Sequence, residues 1–273
     1  MIDIYNIPYI VYYKFYLQIE NMSLKSLLVL PCRLWSTRLP EKHLIELSNW
    51  KTIFQMAYEN CIKSKVDKVL IATDHEKIYK RAESFTSDVI MTSNKHTTWS
   101  DRVAEVAKMY TDYKIIINVQ WDEPLISHTT INSLIDSLIH STAETVMCTV
   151  STKFNSIEEL KKADNVKVIS DINNNAIFFS RNVIPYNKDI YTEPYNINID
   201  NYRKHLWIYA YKRDFLLKYV QMKQTSLEKI ESLEQLRIIE NWYKIGIIQI
   251  ENGWIWIDTQ EDLDALELIL QIK

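Results

Sequence analysis

KIIINVQWDEP, Lys114 to Pro124, is an apolar run that passes without a break into two acids and a proline. Unbroken apolarity, in place of alternation, marks a strand covered on both faces, as in a parallel sheet. The pattern recurs in SLLVLP (Ser26 to Pro31), KVLIAT (Lys68 to Thr73), DVIMT (Asp88 to Thr92) and TVMCTVST (Thr145 to Thr152). Amphipathic stretches lie between these runs, at Thr52 to Lys63, Glu76 to Phe85, Asp101 to Tyr110 and Thr130 to His140. The alternation predicts an α/β fold: a single three-layer α/β/α domain built on a mostly parallel, mixed sheet.

The second half is less regular. VKVIS and AIFFSR flank the polar turn DINNN and read as a hairpin, and KHLWIYAYK reads as a further strand. TSLE at Thr225 matches a capping pattern and predicts a helix running on through SLEQLRIIENWYK. IGIIQI reads as a late strand, and TQEDLDALELILQI as a last helix. No linker, repeat or low-complexity tract divides residues 22–273, which therefore read as one domain. Residues 1–21 are apolar and aromatic, but Asp3, Lys14 and Glu20 interrupt them short of the roughly 20 apolar residues of a membrane span. They lack a basic start and a small-residue cleavage site as well. They read as an extension, disordered or loosely docked or not native, with Met22 as an alternative start.

In sheets of this kind ligands gather beyond the carboxyl ends of the strands. The polar clusters sit there: PCRLWSTRLPEK after the first strand, TDHE after the second, QWDEP after the fourth. Arg33, Arg38 and Lys42, with Ser36 and Thr37, crowd one loop; guanidinium forks match phosphate oxygens and lysine adds a compact charge, so the loop suits a triphosphate as well as it suits plain solvation. Asp122, Glu123 and Asp258 are acids of the kind that hold magnesium, which takes one or two protein carboxylates and completes its shell with phosphates and water. Either acid alone serves equally well as a turn former or helix cap. Neither G-x-x-x-x-G-K nor G-x-G-x-x-G occurs, which disfavours P-loop and dinucleotide-binding folds. A net charge of -3 and a pI of about 6.1 exclude the basic footprint of a nucleic-acid binder. Cys32, Cys61 and Cys148 are too few and too scattered for a disulfide or zinc framework, and fit a reducing cytoplasm.

Taken in order, LVLPCRLWSTRLPEKHL, IATDHE, DVIMTSNKHTTWSDRVAEV, NVQWDEPLI, NVKVISD, FFSRNVIPY, YRKHLWIYAYKRDFL, SLEQLRIIENWYKI and IDTQEDL resemble the 3-deoxy-manno-octulosonate (Kdo) cytidylyltransferases, from about Ser26 to the end. Together these motifs are specific; the arginine loop alone recurs in other nucleotidyltransferases, including those acting on sialic acid. The resemblance implies a nucleotide-diphospho-sugar transferase-like fold and a magnesium-dependent transfer of CMP from CTP to the 2-hydroxyl of Kdo, releasing pyrophosphate. It implies a cytoplasmic homodimer that feeds lipopolysaccharide assembly and engages neither membrane nor nucleic acid. By matching position, Arg33, Arg38 and Lys42 correspond to the triphosphate grip, with Arg33, Lys42 and Asp122 closest to the chemistry. Asp122 and Asp258 correspond to magnesium ligands. Gln120, Arg181, His205, Glu234 and Gln235 correspond to the acidic-sugar side, Arg181 facing the sugar carboxylate, and Arg102 to a nucleotide contact. Another acidic sugar, 8-amino-Kdo or sialic acid, is the alternative substrate. Glu41, at a family glycine, sets an acid beside Lys42, and Cys32 stands where an alanine is usual.

Composition holds one anomaly. Average usage of about 7% predicts roughly 19 glycines in a chain this long, and the chain has two, Gly246 and Gly253, against eight tryptophans. The family's segments usually read PARxGSTRLPGKPL, NGKP, SGTDR, VQGDEP, HxGIY, NGYKI and GVDT. Trp35, Trp50, Trp99, Trp121, Trp207, Trp242 and Trp256 fall where these segments carry glycine. The expectation is that the gene has UGA at these codons, read as glycine by the cell. If the indoles are genuine, the pocket is filled and the chain is an inactive nucleotide-binding homologue.

Overall fold

The computed structural model describes residues 24–34, 39, 41–190 and 197–272. The extension at 1–21, and Trp35, Ser36, Thr37 and Arg38 of the basic loop, lie outside the described residues.

The strands are β1 (Lys25–Cys32), β2 (Lys68–Thr73), β3 (Val89–Met91), β4 (Tyr113–Asn118), β5 (Thr145–Thr152), β6 (Lys167–Ser170), β7 (Ala176–Ser180), β8 (Lys204–Lys212) and β9 (Lys244–Gln249). Seven of them lie side by side in the order β3-β2-β1-β4-β8-β5-β9, and β6 pairs with β7 and with β8. The first four run parallel. β8 runs antiparallel between β4 and β5, which makes the sheet mixed. The β6–β7 hairpin forms around DINNN, with Asn174 in the left-handed region at the turn.

Among the described residues the α-helices are α1 (Ile53–Cys61), α2 (Glu76–Glu83), α3 (Trp99–Met109), α4 (His128–Ile139), α5 (Ile157–Lys161), α6 (Arg213–Tyr219), α7 (Ser226–Glu231), α8 (Leu236–Glu240) and α9 (Gln260–Ile272). Phe54, Ile131 and Leu263 of α1, α4 and α9 pack on one face of the sheet. Val103, Leu216 and Leu236 of α3, α6 and α8 pack on the other. β1 is buried along its length after Lys25, as an apolar run between two helical layers requires.

One expected element is divided. The helix expected to run from Thr225 through the NWYK segment stops at Glu231, and Ser232 adopts φ 53 before α8 begins at Leu236. The break frees the Glu231 carboxylate to accept from Ser180 Oγ (2.7 Å) and Arg181 N (2.9 Å), which ties α7 to the end of β7.

Candidate active site

The carboxyl ends of β1 and β4 open on one side of the sheet, and the chain after each carries a predicted site residue. Lys42 begins a short 3-10 turn, Lys42–Leu44, and is buried. Its ammonium donates to Asp122 Oδ2 (3.0 Å), to the Ile257 carbonyl (2.7 Å) and to Asp258 Oδ1 (3.4 Å). The Ile257 N–H in turn donates to the Asp122 carbonyl at 3.0 Å, so the last loop runs directly beside the β4 loop. Asp262, in the first turn of α9, accepts from the N–H groups of Asp258 (3.0 Å) and Thr259 (2.9 Å) and fixes the backbone there.

Two carboxylates from distant segments thus face one cation. Burial pushes the Asp122 carboxyl up, opposed by the Lys42 charge. Among the described residues no three His, Cys, Asp or Glu side chains gather as a metal cage. A pair of carboxylates converging on one positive charge nevertheless fits magnesium, whose remaining ligands are phosphate and water. Asp122 and Asp258 would hold it.

Arg33 leaves β1 on the same side and donates to the carbonyls of His96 (2.6 Å) and Thr98 (3.3 Å), with its guanidinium 5.0 Å from the centre of the Trp99 ring. Burial, and after it the Arg102 charge, lowers its pKa. Arg102, expected to contact nucleotide, is fully buried and engaged by Asp74 and Thr92. Its charge binds α3 to the ends of β2 and β3 and so supports the floor of the site. Glu41 also departs from expectation: its carboxylate pairs with Lys77 (2.9 Å), away from Lys42.

The sugar-side residues surround a cavity of about 330 Å³ whose lining includes Gln120, Asp122, Arg181, Glu234 and Gln235. The Arg181 guanidinium is aimed by the carbonyls of Glu231 (2.9 Å), Ala163 (3.3 Å) and Ser232 (3.4 Å). Glu234 accepts from Ser100 Oγ at 2.9 Å, and burial raises its pKa. Gln235 is 3% exposed, and neither its amide oxygen nor its amide nitrogen has a partner. His205 and Asp258 line a second cavity of about 870 Å³ instead. His205 is buried with Nε2 3.0 Å from Thr149 Oγ1, Nδ1 is unpartnered, and burial lowers its pKa to about 3.

Sequence reasoning did not single out Ser100 or Glu231. Ser100 lies in the segment matched to SGTDR, which was a usable signal. The role of Glu231 depends on the helix break at Ser232, which no local pattern announced.

A protein-family model described as cytidylyltransferase matches residues 27–245. The chain is 44% identical over 243 residues to a 3-deoxy-manno-octulosonate cytidylyltransferase of Fusobacterium nucleatum, covering 89% of this chain and 96% of that one. The chain belongs to the 3-deoxy-manno-octulosonate cytidylyltransferases. A relative of the same description from Francisella tularensis subsp. novicida is 40% identical, over 90% of this chain and 98% of its own. The solved structure of CMP:2-keto-3-deoxy-manno-octonic acid synthetase complexed with CTP superposes with a TM-score of 0.82 at 30% identity, covering 91% of this chain and 99% of that one. A 4-diphosphocytidyl-2C-methyl-D-erythritol synthase from Anaerococcus prevotii, at 17% identity and a TM-score of 0.60, shares the fold. Among the described residues no helix is long and apolar enough to cross a membrane.

Proposed function

We propose that the protein transfers CMP from CTP to the 2-hydroxyl of Kdo, with magnesium, giving CMP-Kdo and pyrophosphate, and that it works as a cytoplasmic homodimer. The supporting observation is the convergence of Asp122 and Asp258 on the Lys42 ammonium beyond the ends of the strands. In the reaction the hydroxyl oxygen attacks the α-phosphorus, the bond from that phosphorus to the β-phosphate oxygen breaks, and pyrophosphate departs with the electron pair. The hydroxyl proton passes to solvent. Such transfers need positioning and charge stabilisation, with no covalent intermediate on the protein.

Lys42 neutralises negative charge that develops on the phosphates, and the Asp122 and Asp258 carboxylates would hold magnesium, which when bound polarises the α-phosphate and favours loss of the hydroxyl proton. Arg181, held by three carbonyls, offers the sugar carboxylate a planar fork. Glu234 and Gln235 offer hydrogen bonds to sugar hydroxyls.

The test is pyrophosphate release from CTP with Kdo, 8-amino-Kdo or sialic acid supplied separately, in a chain carrying Trp207→Gly and Trp256→Gly to open the cleft. Kdo is expected to give the highest kcat/KM; a preference for either rival would replace the sugar assignment. Asp122→Asn in that chain is expected to lower kcat by about 10²–10³-fold. Unchanged turnover at saturating magnesium would remove Asp122 as a ligand.

The chain with its indoles in place supports a second reading, as a nucleotide-binding homologue without turnover, because Trp256 Nε1 donates to Asp122 Oδ2 at 3.1 Å. CTP binding without pyrophosphate release is its signature.

A further inference from the structure

Six of the eight tryptophans divide into two groups, and each group is out of place for its own physical reason. Trp50 and Trp242 have φ of 63 and 65, in the left-handed region where a Cβ crowds the following carbonyl. For a bulky residue that is a true outlier. Packing does not explain it: the two side chains are 81% and 93% exposed. The two actual glycines both have ordinary backbone angles and serve close approach, a Cβ at Gly246 falling 2.9 Å from Cys148 Sγ.

The second group crosses the active site. Trp207 and Trp256, with Glu123 and Asp164, line both cavities and so stand between them. The partition divides the proposed sugar-side residues: Arg181 and Glu234 line one cavity and His205 the other. The smaller cavity, about 330 Å³, lies at the low end for a single drug-sized ligand, and a triphosphate and an eight-carbon sugar need more. Trp121 is 3% exposed, stacks on His43 at 3.5 Å and lies under the Lys42 ammonium at 4.7 Å.

Unpaired polar atoms gather around these indoles. Both ring nitrogens of His43, the Gln235 amide, His205 Nδ1 and Glu123 Oε2 are buried without partners. Folded proteins leave few such atoms, and those that line the cavities, Gln235 in the smaller, His205 in the larger and Glu123 in both, suit a polar occupant. His43 lies against Trp121 and His205 against Trp207, with ring centres 3.5 and 5.1 Å apart.

We propose that positions 50, 99, 121, 207, 242 and 256 hold glycine in the working protein, inserted at UGA codons, and that with glycine there the two cavities become one continuous cleft. Trp99 belongs with the second group, lining the smaller cavity beneath the Arg33 guanidinium. The claim about the cleft rests on the proposed function; the claim about Trp50 and Trp242 does not.

The experiment has three arms. Peptide mass spectrometry of the protein purified from its own cells is expected to find glycine at all six positions; tryptophan at 121, 207 or 256 in active protein overturns the proposal. Trp50→Gly and Trp242→Gly are each expected to raise Tm by roughly 2–4 °C, while Trp50→Ala and Trp242→Ala, which keep a Cβ at positive φ, do not. Equal gains from alanine would overturn the backbone argument. Calorimetry with CTP is expected to show at least tenfold tighter binding to the chain carrying Trp207→Gly and Trp256→Gly than to the unaltered chain, and equal affinity overturns the blocked-cleft claim. If both chains ignore CTP while mass and Tm behave as expected, glycine stands and the cytidylyltransferase reading falls.

Discussion

The two ends of the cleft are satisfied in opposite ways. At the phosphate end Lys42, Asp122 and Asp258 come from three distant segments and close on one another, the ammonium making three hydrogen bonds. At the proposed sugar end Gln235 is as deeply buried as Lys42 yet its amide makes none, and in the second cavity His205 leaves Nδ1 unmet. Energetics explain the difference. A buried charge stripped of its partner costs about 3–5 kcal/mol, so charges must be matched within the resting chain. An unmet buried amide or imidazole costs about 1–3 kcal/mol, which a fold can carry until a ligand arrives. The Lys42 cluster is therefore closed on itself, while neutral groups at both ends, Gln235 at one and His43 beside Trp121 at the other, are left unpaired.

The sharpest way to break this contrast is Lys42→Met. The two carboxylates would then face each other without a cation. In the chain with Trp207→Gly and Trp256→Gly, kcat is expected to fall by about 10²–10³-fold, the usual effect of losing a donor to developing charge. Tm should fall too, and magnesium chloride should restore it by a larger shift than in the parent, because a ligand that binds only the folded state stabilises it. Melting curves with and without magnesium decide the matter. An identical magnesium effect in both chains would mean that Asp122 and Asp258 do not share an ion.

Arg181→Lys probes the other end with a smaller expected effect. A lysine keeps the charge but cannot meet the carbonyls of Glu231, Ala163 and Ser232 and still present a planar fork. The KM for the sugar should rise about tenfold, roughly the worth of one good charged hydrogen bond, with the KM for CTP unmoved. Steady-state kinetics with each substrate varied would show it. Equal movement of both KM values would mean that the cleft does not have two separable ends.

The Lys42–Asp122 end was also the more legible in sequence. Buried parallel strands are unbroken apolar runs, so β2 and β5 could be bounded to the residue, and the acids following β4 stood out because they end such a run. Which partner each acid would meet was not written locally: the Ile257 carbonyl that Lys42 finds is a backbone group, invisible as a residue type. Arg102 reads as a nucleotide contact only by its position in the segment matching SGTDR; the tertiary fold places Asp74 opposite it. The sugar end depends on the break between α7 and α8. The capping pattern at Thr225 is real, Glu228 accepting from the Thr225 N–H at 3.2 Å, but nothing in SLEKIESLEQLR forecasts a residue at positive φ. Across that turn Glu228 pairs with the buried Arg237, and Glu231 turns to the end of β7.

Ser232→Gly gives the smallest expected effect and the finest test of that account. Ser232 holds φ 53, a conformation that costs a residue with a Cβ about 1–2 kcal/mol, and its carbonyl is one of the three that aim Arg181. Glycine removes the strain but widens the unfolded ensemble, and the two effects oppose each other. Relief should prevail by about 0.5–1 kcal/mol, a rise in Tm of roughly 1–4 °C, since substitutions that mismatch positive φ cost more than the entropy they save. The carbonyl stays in place, so the KM for the sugar should not change. A lower Tm with a raised sugar KM would show instead that the serine side chain holds the turn, and that the sugar end is assembled by side-chain contacts at position 232 rather than by the backbone.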